Sequence, residues 1–165
     1  MGRKTLTLVR HAKSSWDHPG LPDRLRPLNR RGERDAPRMG ERLAARGVEV
    51  ERIVTSPAAR ATATAELVAE EIGFPWDAIV VDERLYQADA FDILAVIREL
   101  DDYLDHVMLF GHNPGLTDLV NSLSTHVVDN VPTCGVVELE YEIDGWALVG
   151  KVEPRSFFFD YPKKK

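Results

Sequence analysis

The chain has one cysteine, Cys134, so no internal disulfide can form, and a reducing cytoplasmic setting is the expectation. It has no apolar run approaching the roughly 20 residues that a membrane helix needs, so no membrane partner is expected. The N-terminus moves from Met1-Gly2-Arg3-Lys4 straight into a short strand-like run, without the apolar segment and small-residue cleavage site of a signal peptide. Internal repeats and a second-domain linker are both missing, and 165 residues suit one domain spanning 1–165. Nor is there an excess of positive charge: the net charge of −6 argues against a nucleic-acid partner, which needs a basic face. The apolar share of 44% and charged share of 29% are ordinary for a globular chain and exclude a disordered one.

What is present alternates between two periods. Thr5 to Val9 reads as a first strand ending at Arg10-His11. Four breakers (Pro19, Gly20, Pro22 and Pro27) mark residues 12–28 as a long loop, of the kind that is usually functional. Asn29 can cap a helix running to about Arg46, with Gly47 beyond it and Pro37 expected to bend or restart it. Eight arginines between 24 and 46 read mostly as a solvated face, Arg26 excepted. Ile53 to Thr55 is a second strand, and Ser56-Pro57 offers a helix cap followed by a first-turn proline. Residues 78–81 predict a third strand, Ile93 to Leu100 a helix, Val107 to Phe110 a fourth strand, and Leu116 to Leu123 a further helix. Val136 to Ile143 and Trp146 to Val152 predict a hairpin turning at Asp144-Gly145. The pattern predicts a three-layer α/β/α sandwich with a mainly parallel central sheet.

In such sheets ligands bind beyond the carboxyl ends of the strands. Three predicted strands end in phosphate-binding chemistry: Arg10-His11, Ser56-Pro57 with Arg60 a turn later, and Gly111-His112. Arginine supplies a permanently charged planar fork, and helix N-termini supply free N–H groups. No histidine, cysteine or carboxylate spacing suggests a metal site, so neither metal nor cofactor is expected. His18, His106 and His126 are expected at the surface or in structural roles. Trp16 and the Phe157-Phe158-Phe159 run are expected in core or edge packing, the alternative being the lining of a substrate mouth.

Leu8-Val9-Arg10-His11-Ala12, the stretch Thr55 to Thr64, and Gly111-His112-Asn113-Pro114-Gly115 together resemble the histidine phosphatase superfamily, phosphoglycerate mutase-like in fold. Arg-His-Ala in place of Arg-His-Gly, and the short chain, resemble its SixA-type phosphohistidine phosphatases. The resemblance implies a metal-independent phosphatase with His11 as the nucleophile. Arg10, Arg60 and His112 would hold the phosphoryl group, and Arg26 would be a further phosphate ligand. His11 would need its Nδ1 proton held by an acceptor such as a backbone carbonyl. The general acid of related enzymes falls where this chain has Gln87; Glu83 and Asp89 are the carboxylates at hand, Glu83 being the candidate acid. The expected function is hydrolysis of phosphohistidine on a protein, the alternatives being hydrolysis of small phosphate esters and silent phosphate binding.

Overall fold

A computed structural model describes residues 2–164. Six strands form one sheet: β1 (Lys4–Arg10), β2 (Arg52–Thr55), β3 (Val80–Val81), β4 (His106–Gly111), β5 (Val136–Tyr141) and β6 (Ser156–Asp160). Their spatial order is β3-β2-β4-β1-β5-β6. The first four are parallel to one another, whereas β5 runs antiparallel to β1 and β6 antiparallel to β5. Four helices cover the faces: α1 (Arg30–Ala45), α2 (Ala59–Ile72), α3 (Ala90–Arg98) and α4 (Gly115–Leu123).

Strand alternation builds the three layers. Leu6, Leu8, Val107 and Leu109 point to the face covered by α3 and α4, burying Ile93, Val96, Ile97, Leu116, Leu119 and Val120. Val9, Met108 and Phe110 point to the other face, against Ala36, Met39 and Leu43 of α1 and Ala65 and Val68 of α2. The expected α/β/α sandwich is the observed fold. None of the helices is long and apolar enough to cross a membrane among the described residues.

Four local expectations change. The predicted hairpin is absent: Trp146 turns inward, fully buried, and donates from Nε1 to the Leu104 carbonyl at 3.0 Å. Residues 146–148 form a 3-10 turn, and Ser156–Asp160 with its three phenylalanines pairs with β5 instead. The third strand shrinks to two residues behind a 3-10 turn at Trp76–Ala78. Helix α2 starts at Ala59 rather than Pro57, because Ala58 has a non-helical backbone (φ −57°, ψ 138°) even though the Ser56 hydroxyl accepts from its N–H. And α1 runs unbroken through Pro37, which lacks only one N–H and sits on a half-exposed position.

The arginines of α1 are less idle than a solvated face implies. Arg42 donates to the carbonyls of Tyr161 and Pro162 at 2.9 and 3.0 Å, and Arg46 lies 3.3 Å over the Phe158 ring. They tie the helix to the last strand. The long loop 12–28 is likewise organised, clasped by an isolated bridge between Ser14 and Leu28 and by Ser15 N–H to Pro27 O at 2.8 Å.

Asn29 caps α1 as expected, accepting from Gly32 N–H at 2.9 Å. That helix start is pressed onto the loop: a Cβ on Gly32 would lie 2.2 Å from the Lys13 carbonyl oxygen. Gly32→Ala should therefore cost about 1–3 kcal/mol in urea unfolding, the range for forced overpacking. A loss below about 0.5 kcal/mol, within surface-substitution scatter, would show that the helix does not brace the loop.

Candidate active site

Register brings three strand ends to one level. Arg10 pairs with Gly111 across β1 and β4, and Thr55 with Phe110 across β2 and β4. The next residue of each strand, namely His11, Ser56 and His112, therefore emerges on the same rim. Backbone bonds continue the alignment: His11 N–H donates to Gly111 O and Ser56 N–H to Phe110 O, both at 3.1 Å. Arg60 enters from the first turn of α2, and Arg26 from the clasped loop. Arg10, His11, Arg26, Arg60 and His112 line a cleft of about 240 Å³, joined by Lys13, Ser14, Trp16, Asn113 and Thr133.

His11 is held in one tautomer. Its Nδ1 donates to the Ala12 carbonyl at 2.7 Å, leaving Nε2 as the nitrogen with a free lone pair. Burial, with His112, Arg60 and Arg10 adding positive charge, pushes its pKa down to about 3, against the smaller opposing effect of the Ala12 bond. His112 lies 5.1 Å away between ring centroids, its pKa lowered to about 4 chiefly by burial. Both imidazoles are thus neutral at physiological pH.

Ser56 sets the second tautomer. Its Oγ accepts from Ala58 N–H at 3.2 Å and lies 2.7 Å from His112 Nε2. The hydroxyl hydrogen is best satisfied by donation to Nε2, since Ser56 is wholly buried. His112 then carries its proton on Nδ1. That Nδ1 is buried and has no partner among the described residues, and the same is true of Arg10 Nε and Arg60 Nε. Orphaned buried donors cost roughly 1–3 kcal/mol each unless something accepts from them. Here three of them belong to side chains that line one cleft together with His11.

Asp23, which the sequence reading passed over, organises the arginines. Its carboxylate accepts from Arg26 Nε at 3.1 Å, from an Arg60 terminal nitrogen at 3.1 Å, and from the Tyr86 hydroxyl at 2.7 Å. Its backbone carbonyl accepts from the other terminal nitrogen of Arg60 at 2.9 Å. The Tyr86 bond first, then the arginines, hold its pKa down to about 2, so it is an anion and not an acid. The only sequence signal was its i,i+3 spacing to Arg26. Trp16 was expected in core or edge packing; it is 73% exposed instead, at the cleft, with the Arg26 guanidinium 3.7 Å over its ring.

The carboxylates expected near the leaving group lie elsewhere. Glu83 is exposed, bonds Arg24 at 2.6 Å, and does not line the cleft. Asp89 closes a capping box with Asp92 at the start of α3. Gln87 is exposed with φ of 56° and is also outside the cleft. Cys134, wholly buried with its thiol pushed up to about 12, is no nucleophile; its N–H braces the Arg10 and His11 carbonyls at 3.0 Å. Among the described residues no group of three or more His, Cys, Asp or Glu side chains could hold a metal ion.

The family model described as histidine phosphatase superfamily (branch 1) matches residues 6–93. The chain belongs to that superfamily. The match takes in Arg10, His11, Arg26 and Arg60 and stops short of His112, which joins them by geometry. As a histidine phosphatase, the chain shares its fold with solved structures of SixA proteins. One, assigned as a phosphohistidine phosphatase SixA from Nakamurella multipartitia, superposes with a TM-score of 0.82 at 22% identity over 99% of each chain. Another, the protein histidine phosphatase SixA complexed with tungstate, gives 0.79 at 23% identity over 96% of this chain and 97% of that one. A 2,3-bisphosphoglycerate-dependent phosphoglycerate mutase from Brucella ovis is 33% identical over 98 residues, 58% of this chain. Those residues span 48% of the mutase, so the match covers about half of that longer enzyme.

The depressed pKa values make a signed prediction. Unfolded histidine protonates near pH 6.5, whereas His112 resists to about 4 and His11 to about 3. The unfolded chain binds more protons in that window, so these histidines favour folding fully above about pH 6.5 and progressively less as pH falls below it. Imidazole NMR should show no inflection for His11 or His112 between pH 8 and 5, and should place the His112 proton on Nδ1. In Ser56→Ala the His112 proton should redistribute towards Nε2. A titration near pH 6.5, or an Nε2–H signal in the wild type, would contradict the assignment.

Proposed function

We propose that residues 1–165 form one metal-independent phosphatase domain that transfers a phosphoryl group to His11 and then to water, with phosphohistidine on a protein as its substrate. The observation that carries this reading is three orphaned donors on side chains that share a cleft with a neutral imidazole whose Nε2 is free. Arg10 Nε, Arg60 Nε and His112 Nδ1 each offer one N–H. A transferring phosphoryl group spreads its charge over three equatorial oxygens, which fixed donors stabilise without reorganisation. His11 Nε2 attacks phosphorus in line, forming the N–P bond as the bond to the leaving group breaks. Water then attacks the phosphohistidine, releasing phosphate and restoring the free imidazole.

The substrate class is supported by what the cleft lining lacks. Arg10, His11, Lys13, Ser14, Trp16, Arg26, Arg60, His112, Asn113 and Thr133 include no carboxylic acid, and the nearby Asp23 is held ionised. A poor leaving group such as an alkoxide needs a proton from a positioned acid. An imidazole nitrogen leaves readily once protonated, so a phosphoramidate suits a cleft without such an acid. The tungstate bound by the SixA protein of the same fold is an oxyanion, in keeping with a tetrahedral-anion site. Phosphoryl-ester hydrolysis is the competing activity, the mutase relative being named for phosphoglycerate, a phosphate ester.

Rates on phosphoramidate, a phosphohistidine protein and aryl and alkyl phosphates of rising leaving-group pKa, all in EDTA, test the proposal. Turnover should survive chelation and fall steeply as the leaving group worsens, with alkyl esters slower than phosphoramidate by a factor of about 100 or more, the typical worth of a missing acid. Alkyl esters turned over as fast as phosphoramidate, or activity restored only by added metal, would overturn it.

A further inference from the structure

We infer that the apolar trough between α1 and α2 is the docking site for a basic amphipathic helix of the phosphorylated protein, seated so that its phosphoryl group reaches the His11 cleft. The inference rests on the proposed activity for the identity of the partner, and on the surface itself for its chemistry. The trough encloses about 1060 Å³ and is lined by Pro27, Leu28, Ala63, Leu67, Phe74 and Trp76, with Glu33, Glu66 and Glu70 along it. Ala63, Leu67 and Phe74 rest on the core beneath, while Trp76 is 71% exposed.

Position links this surface to the cleft. On α2, residues 60, 63, 67 and 70 follow helical spacing, so the trough continues the stripe that Arg60 begins, with Phe74 just past the helix end. From Arg60 to Glu70 that stripe extends about 15 Å at 1.5 Å per residue, enough for just under three turns of a docked helix. On the other wall, Pro27 and Leu28 directly follow Arg26 of the cleft. A segment lying in the trough therefore has one end beside two phosphate-binding arginines.

Charge selects the occupant. Among the described residues no cationic nitrogen lies within 4.0 Å of Glu33, Glu66 or Glu70, while the neighbouring Arg31 and Arg34 turn to Asp35. The adjoining cleft carries Arg10, Lys13, Arg26 and Arg60. The surface thus presents a cationic end and an acidic, apolar length. A helix carrying lysines or arginines beside apolar residues, and a phosphoryl group at one end, matches both in one orientation only. Its cationic side chains can also lay their methylene stems on the apolar floor. A second copy of this chain, at a net charge of −6, is a poorer match.

The probe is a 14-residue leucine–lysine peptide with leucines at i, i+3, i+4 and i+7, followed by amide NMR shifts. Shifts should saturate and concentrate on residues 63–76. Glu66→Lys with Glu70→Lys should weaken binding at least tenfold, whereas Glu41→Lys with Glu153→Lys, outside the trough, should change it less than threefold. A leucine–glutamate peptide should not bind. Extending the leucine–lysine peptide with a terminal phosphohistidine adds a kinetic arm: the double trough variant should lose at least tenfold in kcat/KM on it and keep its rate on phosphoramidate. Equal binding to wild type and trough variant, or shifts centred elsewhere, would overturn the inference. So would a wild-type dimer that the trough variant dissolves, which would assign the surface to a second copy. Should phosphoramidate itself not be turned over, the proposed activity fails, and the binding arm still decides the trough.

Discussion

An imidazole that stays neutral beside two guanidinium groups is the condition on which the rest of the site depends. Burial removes the water that would stabilise a charged His11, and Arg10 and Arg60 add to the penalty on protonation. The same burial leaves one N–H each on Arg10, Arg60 and His112 without an acceptor. Low local dielectric makes both effects large, and in the proposed reaction a phosphoryl group answers both at once, accepting from the donors and taking the lone pair. The surrounding fold serves to hold these groups against their mutual repulsion. Strand register sets the level of His11 and His112, Ala12 and Ser56 respectively fix their tautomers, and Asp23 neutralises part of the arginine charge.

Much of this was legible in the amino-acid order, because the chemistry sits in short local motifs. Arg10-His11, Ser56 to Arg60 and Gly111-His112 each follow a strand that its alternation identifies, and parallel strands bring their ends together whatever the loops do. The layered architecture was legible for the same reason. Asp23 and Tyr86 were not, since they reach the site through the conformation of a long loop and a 3-10 turn that no periodicity announces, and for Trp16 the lining of a substrate mouth was only the second reading. Glu83 looked available as an acid only while its partner Arg24, 59 residues earlier, was out of view.

The C-terminal hairpin misled for a different physical reason. Trp146 to Val152 is apolar enough to read as a strand, yet the indole is worth more in the core, where its N–H finds the Leu104 carbonyl. The unbroken Phe157-Phe158-Phe159 run hides its alternation, and as an edge strand it is half-buried on both faces, with Arg46 covering Phe158. Tertiary burial decided between two segments of similar β propensity.

The central claim is covalent: phosphorus passes through His11 Nε2. Rapid acid-free quenching of the enzyme with phosphorus-labelled phosphoramidate, followed by peptide mapping, tests it most directly. The account predicts label on His11, stable to base and released by mild acid, and absent from His11→Ala although that variant still binds inorganic phosphate. Acid-stable label on a serine or aspartate, or near-normal turnover by His11→Ala, would contradict it.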